Sequence, residues 1–471
     1  MGRIRTVCGA IGVTGIAIVL VIALTGCRSF DGQKVRAEHA QRYPAELAQK
    51  TEEMLSVRGP LNLDACIRIA LENNLDVRSS QIQQRIATLE RKIAFANFLP
   101  VLDVGYMHYE FDPAIALELS DTTLRIDKVR TITWQANMSI FNPATWFLYA
   151  MHKRGAEIAE LVTTYTRQVT VLQITVLYYQ CLSLEEMDHA LDSELTAALE
   201  TEKRLRSLHQ EGLVSAWQAD QAQVLVQTRR VERQRMQREL RRAKADLLAA
   251  MGLSPVAEIT LAAQTPLEAP GGTLEDRIAE ALLNHPHLRI ADRNIEIQKE
   301  QVKIAVSDFL PQVFGFATYP DSIDDFVDTS GQWVYGLSGT MTLFNGFANV
   351  NEYKAARARR EESFLQRENA SLTVILEVIR SHLMLETAAE QAAVAQSAYD
   401  VAVERVVEAE QKWREGLIDS SEMLDLAAQR DKARVQAIAA KFQHQVGIAT
   451  LLNVMGKTQI DIEEPEHDGP S

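Results

Sequence analysis

The stretch Thr131-Ile132-Thr133-Trp134-Gln135-Ala136-Asn137-Met138-Ser139-Ile140-Phe141-Asn142-Pro143 decides the fold. Ile132, Trp134, Ala136, Met138 and Ile140 fall on one face of an extended chain, and Thr131, Thr133, Gln135, Asn137 and Ser139 on the other. That alternation predicts a strand over 131–141, the length a tilted membrane-spanning strand needs. A half-buried strand of a soluble sandwich shows the same period, so the strand alone favours neither. Pro143 then opens a run to His209 with no further proline and one glycine, Gly155. A helix of that length spans roughly 100 Å, more than a compact domain needs.

Moving outward, the same pattern recurs. Trp333, Tyr335, Leu337, Met341 and Leu343 alternate with Val334, Gly336, Ser338, Thr340 and Thr342, and residues 348–415 lack both proline and glycine. Phe98-Leu99-Pro100 returns as Phe309-Leu310-Pro311, Asn73-Asn74-Leu75 as Asn284-His285-Pro286, Phe141-Asn142 as Phe344-Asn345, and Glu211-Gly212-Leu213 as Glu415-Gly416-Leu417. Landmarks in one order predict two copies of a unit, 61–255 and 273–456, joined by a linker over 256–272. A shorter connection is expected in the second copy, between Pro311 and Phe344. Each copy reads helix, strand, strand, long helix, turn, helix. The first helix covers 63–97 on the three- and four-residue spacing of Ile67, Ala70, Leu71, Ile82, Ile86, Leu89 and Ile93. Strands are expected at about 101–111, 131–141, 312–320 and 332–344. In the first, alternation changes face after Tyr106, which suggests a bend or bulge.

Four strands cannot close a barrel in lipid, because an open edge leaves backbone groups unpaired. Other copies must complete it, and three would give twelve strands. The fold class expected is an α+β membrane protein: a trimeric twelve-strand β-barrel, four strands per protomer, continuing into a long antiparallel α-helical coiled-coil tunnel. The alanine-rich helices suit close packing of that kind. A cytoskeletal coiled coil shares the composition but not the strand pairs or the leader.

The chain has 471 residues and a formal charge of −14, which disfavours nucleic acid as a partner. Residues 1–26 read as a secretory leader: Arg3 and Arg5, an apolar run from Ile11 to Leu24, then Thr25-Gly26 before Cys27. Cys27 resembles the lipidated cysteine of bacterial lipoproteins, and Arg28 after it favours the outer membrane. A retained membrane helix is the competing reading. Residues 27–60 are expected to be an extended lipidated tether and 457–471 a tail. Of the other cysteines, Cys8 leaves with the leader, and Cys66 and Cys181 sit in different helices without metal spacing. His285-Pro286-His287 offers two ligands where a catalytic zinc site wants three. No catalytic constellation, cofactor or metal is expected.

Both long helices end in a matched turn. Gly212 and Gly416 suit the left-handed closing residue. Ser215 and Asp419 suit the next N-cap, and Gln218 and Glu422 complete a capping box three residues on. Leu213-Val214 and Leu417-Ile418 are expected to be exposed at the tips. Either a partner covers them, or they pack on neighbouring helices of the same hairpin.

These features together resemble the TolC family of outer-membrane efflux proteins, over about 61–456. The resemblance implies a homotrimer spanning the outer-membrane lipid, with a helical tunnel across the periplasm. It also implies tips that meet a periplasmic adaptor (membrane fusion) protein, and an inner-membrane pump that supplies energy for efflux or type I secretion. The adaptor-facing pattern of the family matches Leu208, Gly212 and Ser215, with Leu213 and Val214 between them. The second tip, Gly416, Leu417, Ile418 and Asp419, departs from it, since Lys412 stands where the pattern has leucine. Glu422 and Asp425 match the acids of the family's pore constriction, and their spacing of three puts both on one helical face. Acids in a first helical turn also serve as caps, an alternative reading of Glu422. The residues of the family's closing latch match Gln218 and Ile418, neither of which can form that ion pair. A structural coiled-coil lipoprotein without a channel is the competing function.

Overall fold

The computed structural model describes residues 30–55, 59–119, 122–263, 266–322 and 331–457. The expected leader, Cys27 and the expected tail beyond 457 lie outside them. Two compact units are present. The described part of the smaller contains helix α1 (Gly32–Leu55) and the segment Leu253–Glu258. Thr51 of α1 is buried and its hydroxyl accepts the N–H of Ser254 at 2.9 Å. The expectation of an extended tether over 27–60 is therefore corrected: most of that segment is helical, and α1 carries Pro44 inside it.

The larger unit begins at Pro60. Its elements are α2 (Leu63–Asn73), α3 (Leu75–Ala96), β1 (Val101–Leu119), β2 (Thr122–Phe141), α4 (Pro143–Gln210) and α5 (Ala216–Ala250). Then follow α6 (Leu274–Asn284), α7 (Pro286–Ser307), β3 (Gln312–Ser322), β4 (Val334–Thr340), α8 (Ala348–Arg414) and α9 (Ser420–Val454). The single helix expected over 63–97 is two, because Asn74 leaves helical geometry. Its side chain accepts from the N–H groups of Asp76 and Val77, while its amide donates to the Ala250 carbonyl. An asparagine that caps locally and bonds across elements ends one helix and starts another.

The strands form one antiparallel sheet in the order β1-β2-β3-β4. The first two run on through the connection expected between 111 and 131, pairing out to Leu119 and Thr122. The register shifts between Glu110 and Ile115, near the change of face seen in the sequence. β4 is shorter than the 332–344 expected. Among the described residues, the pairing of β2 with β3 runs from Phe141 and Val313 to Thr131 and Ser322.

The core is built where helices meet. Tyr178 of α4 is fully buried, and its hydroxyl bonds to the carbonyls of Leu61 and Ala262 at 3.0 and 2.6 Å, beside the parallel bridge of Leu61 and Leu261. Cys66 and Cys181 are free and buried, and burial pushes each thiol up to about 12. Nearer the sheet, two arginines tie α4 to α7: Arg154 Nε to Glu296 and Arg293 Nε to Glu157, both at 2.8 Å.

Candidate functional site

The two helical tips close by one backbone device. At the first, the N–H of Leu213 reaches the Leu208 carbonyl at 2.9 Å and that of Gly212 the His209 carbonyl at 2.9 Å. At the second, Leu417 reaches Lys412 at 2.8 Å and Gly416 reaches Trp413 at 3.1 Å. Gly212 and Gly416 have φ of +78° and +73°, the left-handed geometry that this closure requires. Since the acceptor is a main-chain carbonyl, either leucine or lysine serves at the position of Leu208 and Lys412. The Lys412 side chain instead pairs with Glu408 at 2.7 Å on the surface, and that hydrogen bond raises its pKa.

The caps differ. At the first tip the Oε1 of Gln218 accepts both the N–H and the hydroxyl of Ser215, each at 2.9 Å. At the second the carboxylate of Asp419 accepts the N–H of Glu422 at 2.9 Å.

The tips pack together. Leu205 of α4, Ala222 of α5 and Met423 and Leu424 of α9 form a buried cluster, joined by Val214, Leu225, Trp413 and Ile418. Gln218 and Gln221 donate to the hydroxyls of Ser420 and Ser421 at 3.4 and 3.5 Å, and Arg204 stacks on Trp413 with its guanidinium carbon 4.3 Å from the ring centre. The expectation of four exposed tip aliphatics is thus half corrected. Leu213 and Leu417 are 68% and 69% exposed, whereas Val214 and Ile418 turn inward onto this cluster. An exposed Trp217, unremarked in the sequence, joins the outer pair.

Glu422 and Asp425 are both exposed and flank the buried Met423-Leu424 pair. They share a face of α9 opposite the tip core, as three-residue spacing dictates. Sequence reasoning missed Glu194, Arg229 and Asp431, which lie farther in and are brought together between α4, α5 and α9. The faint local signal was confined to Glu194, whose helical neighbours Ala190, Leu191, Ala197 and Ala198 are apolar. His285 and His287 do come together, with ring centres 5.3 Å apart and Tyr165 beside them. His285 acts as the N-cap of α7. Among the described residues no group of three or more His, Cys, Asp or Glu could hold a metal, and no helix is long and apolar enough to cross a membrane.

The sequence pattern of the outer membrane efflux protein family matches residues 66–253 and 278–457, most of the chain. No curated protein matches it. Among solved structures it resembles the CmeC outer membrane channel of Campylobacter jejuni, at 16% identity over 84% of this chain and 85% of that one, with a TM-score of 0.73. It also resembles the outer membrane protein VceC of Vibrio cholerae, at 16% identity over 84% and 96%, with a TM-score of 0.71. The open state of the MtrE outer membrane channel of Neisseria gonorrhoeae gives 16% identity over 84% and 89%, with a TM-score of 0.70.

Proposed function

The chain belongs to the outer membrane efflux protein family, and from that premise we propose that three copies close one barrel and one tunnel, docking by their tips on a periplasmic adaptor. Its function is that of an outer-membrane efflux channel. The observation that carries the trimer is unpaired surface. β1 and β4 are the free edges of a four-strand sheet, and large apolar side chains stand exposed on it, among them Leu102, Trp134, Tyr335 and Leu337. In lipid such edges must find partners, and pairing β4 with β1 of the next copy satisfies them. The helices repeat the message: Leu75, Ile82, Ile86, Leu89 and Ile93 make an exposed apolar stripe along α3. A stripe of that length calls for a neighbouring helix.

In this reading the two halves are copies of one unit, and Cys27 carries a lipid anchor. The tip surface from Leu208 to Ser215 and from Gly416 to Asp419 meets the adaptor through outward-facing Leu213, Leu417 and Trp217, while Val214 and Ile418 hold the tips in shape. Glu422 and Asp425, repeated three times about an axis, favour cations at the periplasmic constriction. Transport is passive, and an inner-membrane pump supplies the energy. The purified protein is expected to give heat-resistant trimer bands and to conduct in planar bilayers. The double variant Glu422→Gln, Asp425→Asn is expected to lose most of the cation preference. A water-soluble monomer without conductance would overturn the proposal and favour a structural lipoprotein.

A further inference from the structure

Inward from the tip core, from roughly 12 to 27 Å along α4 from Gly212, the helices line a half-open cavity of about 310 Å³. Its wall includes Glu194 of α4, Arg229 of α5 and Asp431 of α9. Glu194 is 4% exposed and Asp431 5%. Arg229 stands between them and is committed elsewhere. Its Nη2 donates to Asp431 Oδ2 at 2.9 Å and its Nη1 to Glu232 at 2.8 Å, whereas its Nε remains 3.8 Å from Glu194 Oε2. Asp431 is doubly served, because Arg430 donates to its other oxygen from Nε at 3.0 Å and Nη2 at 2.5 Å. Glu194 is the member left over: neither of its buried oxygens accepts a hydrogen bond.

A buried carboxylate with a long ion pair and no donor costs much more when charged than when neutral. We propose that Glu194 is a proton-operated clasp between the two helical hairpins, closed when its carboxyl carries a proton and loosened by water entering the cavity when it does not. The groups that face it agree. Asp431 from α9 disfavours a second negative charge there, and Arg229, Arg430 and Arg434 offset it in part; Glu200 and Arg204 of α4 and Glu410 and Arg414 of α8 also line the cavity. Burial, then the charge of Asp431, pushes the Glu194 carboxyl up to about 7. A carboxyl raised in the closed packing binds its proton more tightly there than when loosened. Closed packing is therefore fully supported below the ordinary carboxylate range, and that support is lost as pH rises through about 7. The cavity adjoins the cluster that joins the two tips, since Leu225, Trp413, Met423 and Leu424 line both. Loosening at Glu194 thus frees the tips to part. The clasp belongs to the packing of one chain and does not depend on the channel reading.

The test is hydrogen exchange of the full mature protein, read by mass spectrometry and corrected for the intrinsic pH dependence of exchange. Residues 190–198 and 427–434 are expected to lose protection by up to roughly tenfold per pH unit as pH rises from the ordinary carboxylate range to the Glu194 midpoint of about 7, and to level off above it. Glu194→Gln, which stays neutral, is expected to keep the acid-form protection throughout. An equal loss in both proteins, or none in the natural one, overturns the proposal. Asp431→Asn supplies a second reading: removing the neighbouring charge is expected to move the midpoint to lower pH. An unmoved midpoint is equally fatal.

Discussion

The two halves of the larger unit agree in their helices and disagree in their strands. Helices of 11, 22, 68 and 35 residues in the first half face helices of 11, 22, 67 and 35 in the second. Among the described residues, the strands are 19 and 20 residues against 11 and 7. Each long helix packs on its own hairpin partner, α4 on α5 and α8 on α9, and α9 also packs on α4, so the tips and the joints must stay in step. One inserted residue turns every later side chain by about 100° and shifts it about 1.5 Å, so length is a shared constraint. A strand hairpin is held at its base only, and its far end can lengthen without disturbing a neighbour.

Where the halves agree, they differ in tightness, and this sets the largest effect expected. Gly252 follows α5 and Gly456 follows α9, with φ of +71° and +75°. A Cβ on Gly252 would lie 2.4 Å from the Asn73 carbonyl oxygen, but one on Gly456 would lie 3.2 Å from that of Asn284. Gly252→Ala meets both backbone strain and a main-chain clash, and is expected to cost about 3 kcal/mol. Gly456→Ala meets mainly the strain and is expected to cost about 1–2 kcal/mol. Denaturant midpoints of the purified variants decide it. Equal losses would mean that the first joint relaxes as easily as the second.

The next effect separates the halves by pH. Asn74 caps α3 with an amide that does not titrate, and the matching His285 caps α7 by accepting the N–H of His287 on Nδ1 at 3.3 Å. Burial, then the nearby His287, lowers the His285 pKa from 6.5 to about 4. A histidine whose folded pKa is depressed supplies stability above its ordinary value, and loses it as pH falls through the folded one. The second half is therefore expected to weaken by up to roughly 2 kcal/mol as pH drops from 6.5 toward 4. His285→Asn copies the cap of the first half and should remove that slope. Measuring the difference between natural and variant proteins at each pH isolates it from Glu194, whose contribution has the opposite sign. A variant with the natural slope would place the titration elsewhere.

The asymmetry between legible and hidden features follows the range of the interactions. Proline and glycine placement marked the ends of the long helices, because those residues act on their own backbone. Period-two alternation marked the strands for the same reason. The break at Asn74 was not legible, since its amide bonds to Ala250, far along the chain. Nor was the inward turn of Val214 and Ile418, because a turn sequence does not say which hairpin lies beside it. The extension of β1 and β2 was not legible, because pairing across the hairpin is what keeps those residues extended. Glu194 and Asp431 were concealed most completely: their partners sit on separate helices and meet only in the packed structure.

The smallest effect is at the tips. Asp419 caps α9 with a charged oxygen at a helix N-terminus, where the dipole favours it, and Asp419→Ala is expected to cost about 1 kcal/mol. Ser215→Ala is expected to cost only a few tenths of a kcal/mol, since the Gln218 side chain can still accept the N–H of residue 215. Amide exchange at 419–424 and 215–220 reads the two separately. The comparison also separates capping from docking. If Ser215→Ala leaves the first tip protected yet weakens capture of the adaptor, its hydroxyl serves the partner; if exchange rises as much as at Asp419, it serves the turn.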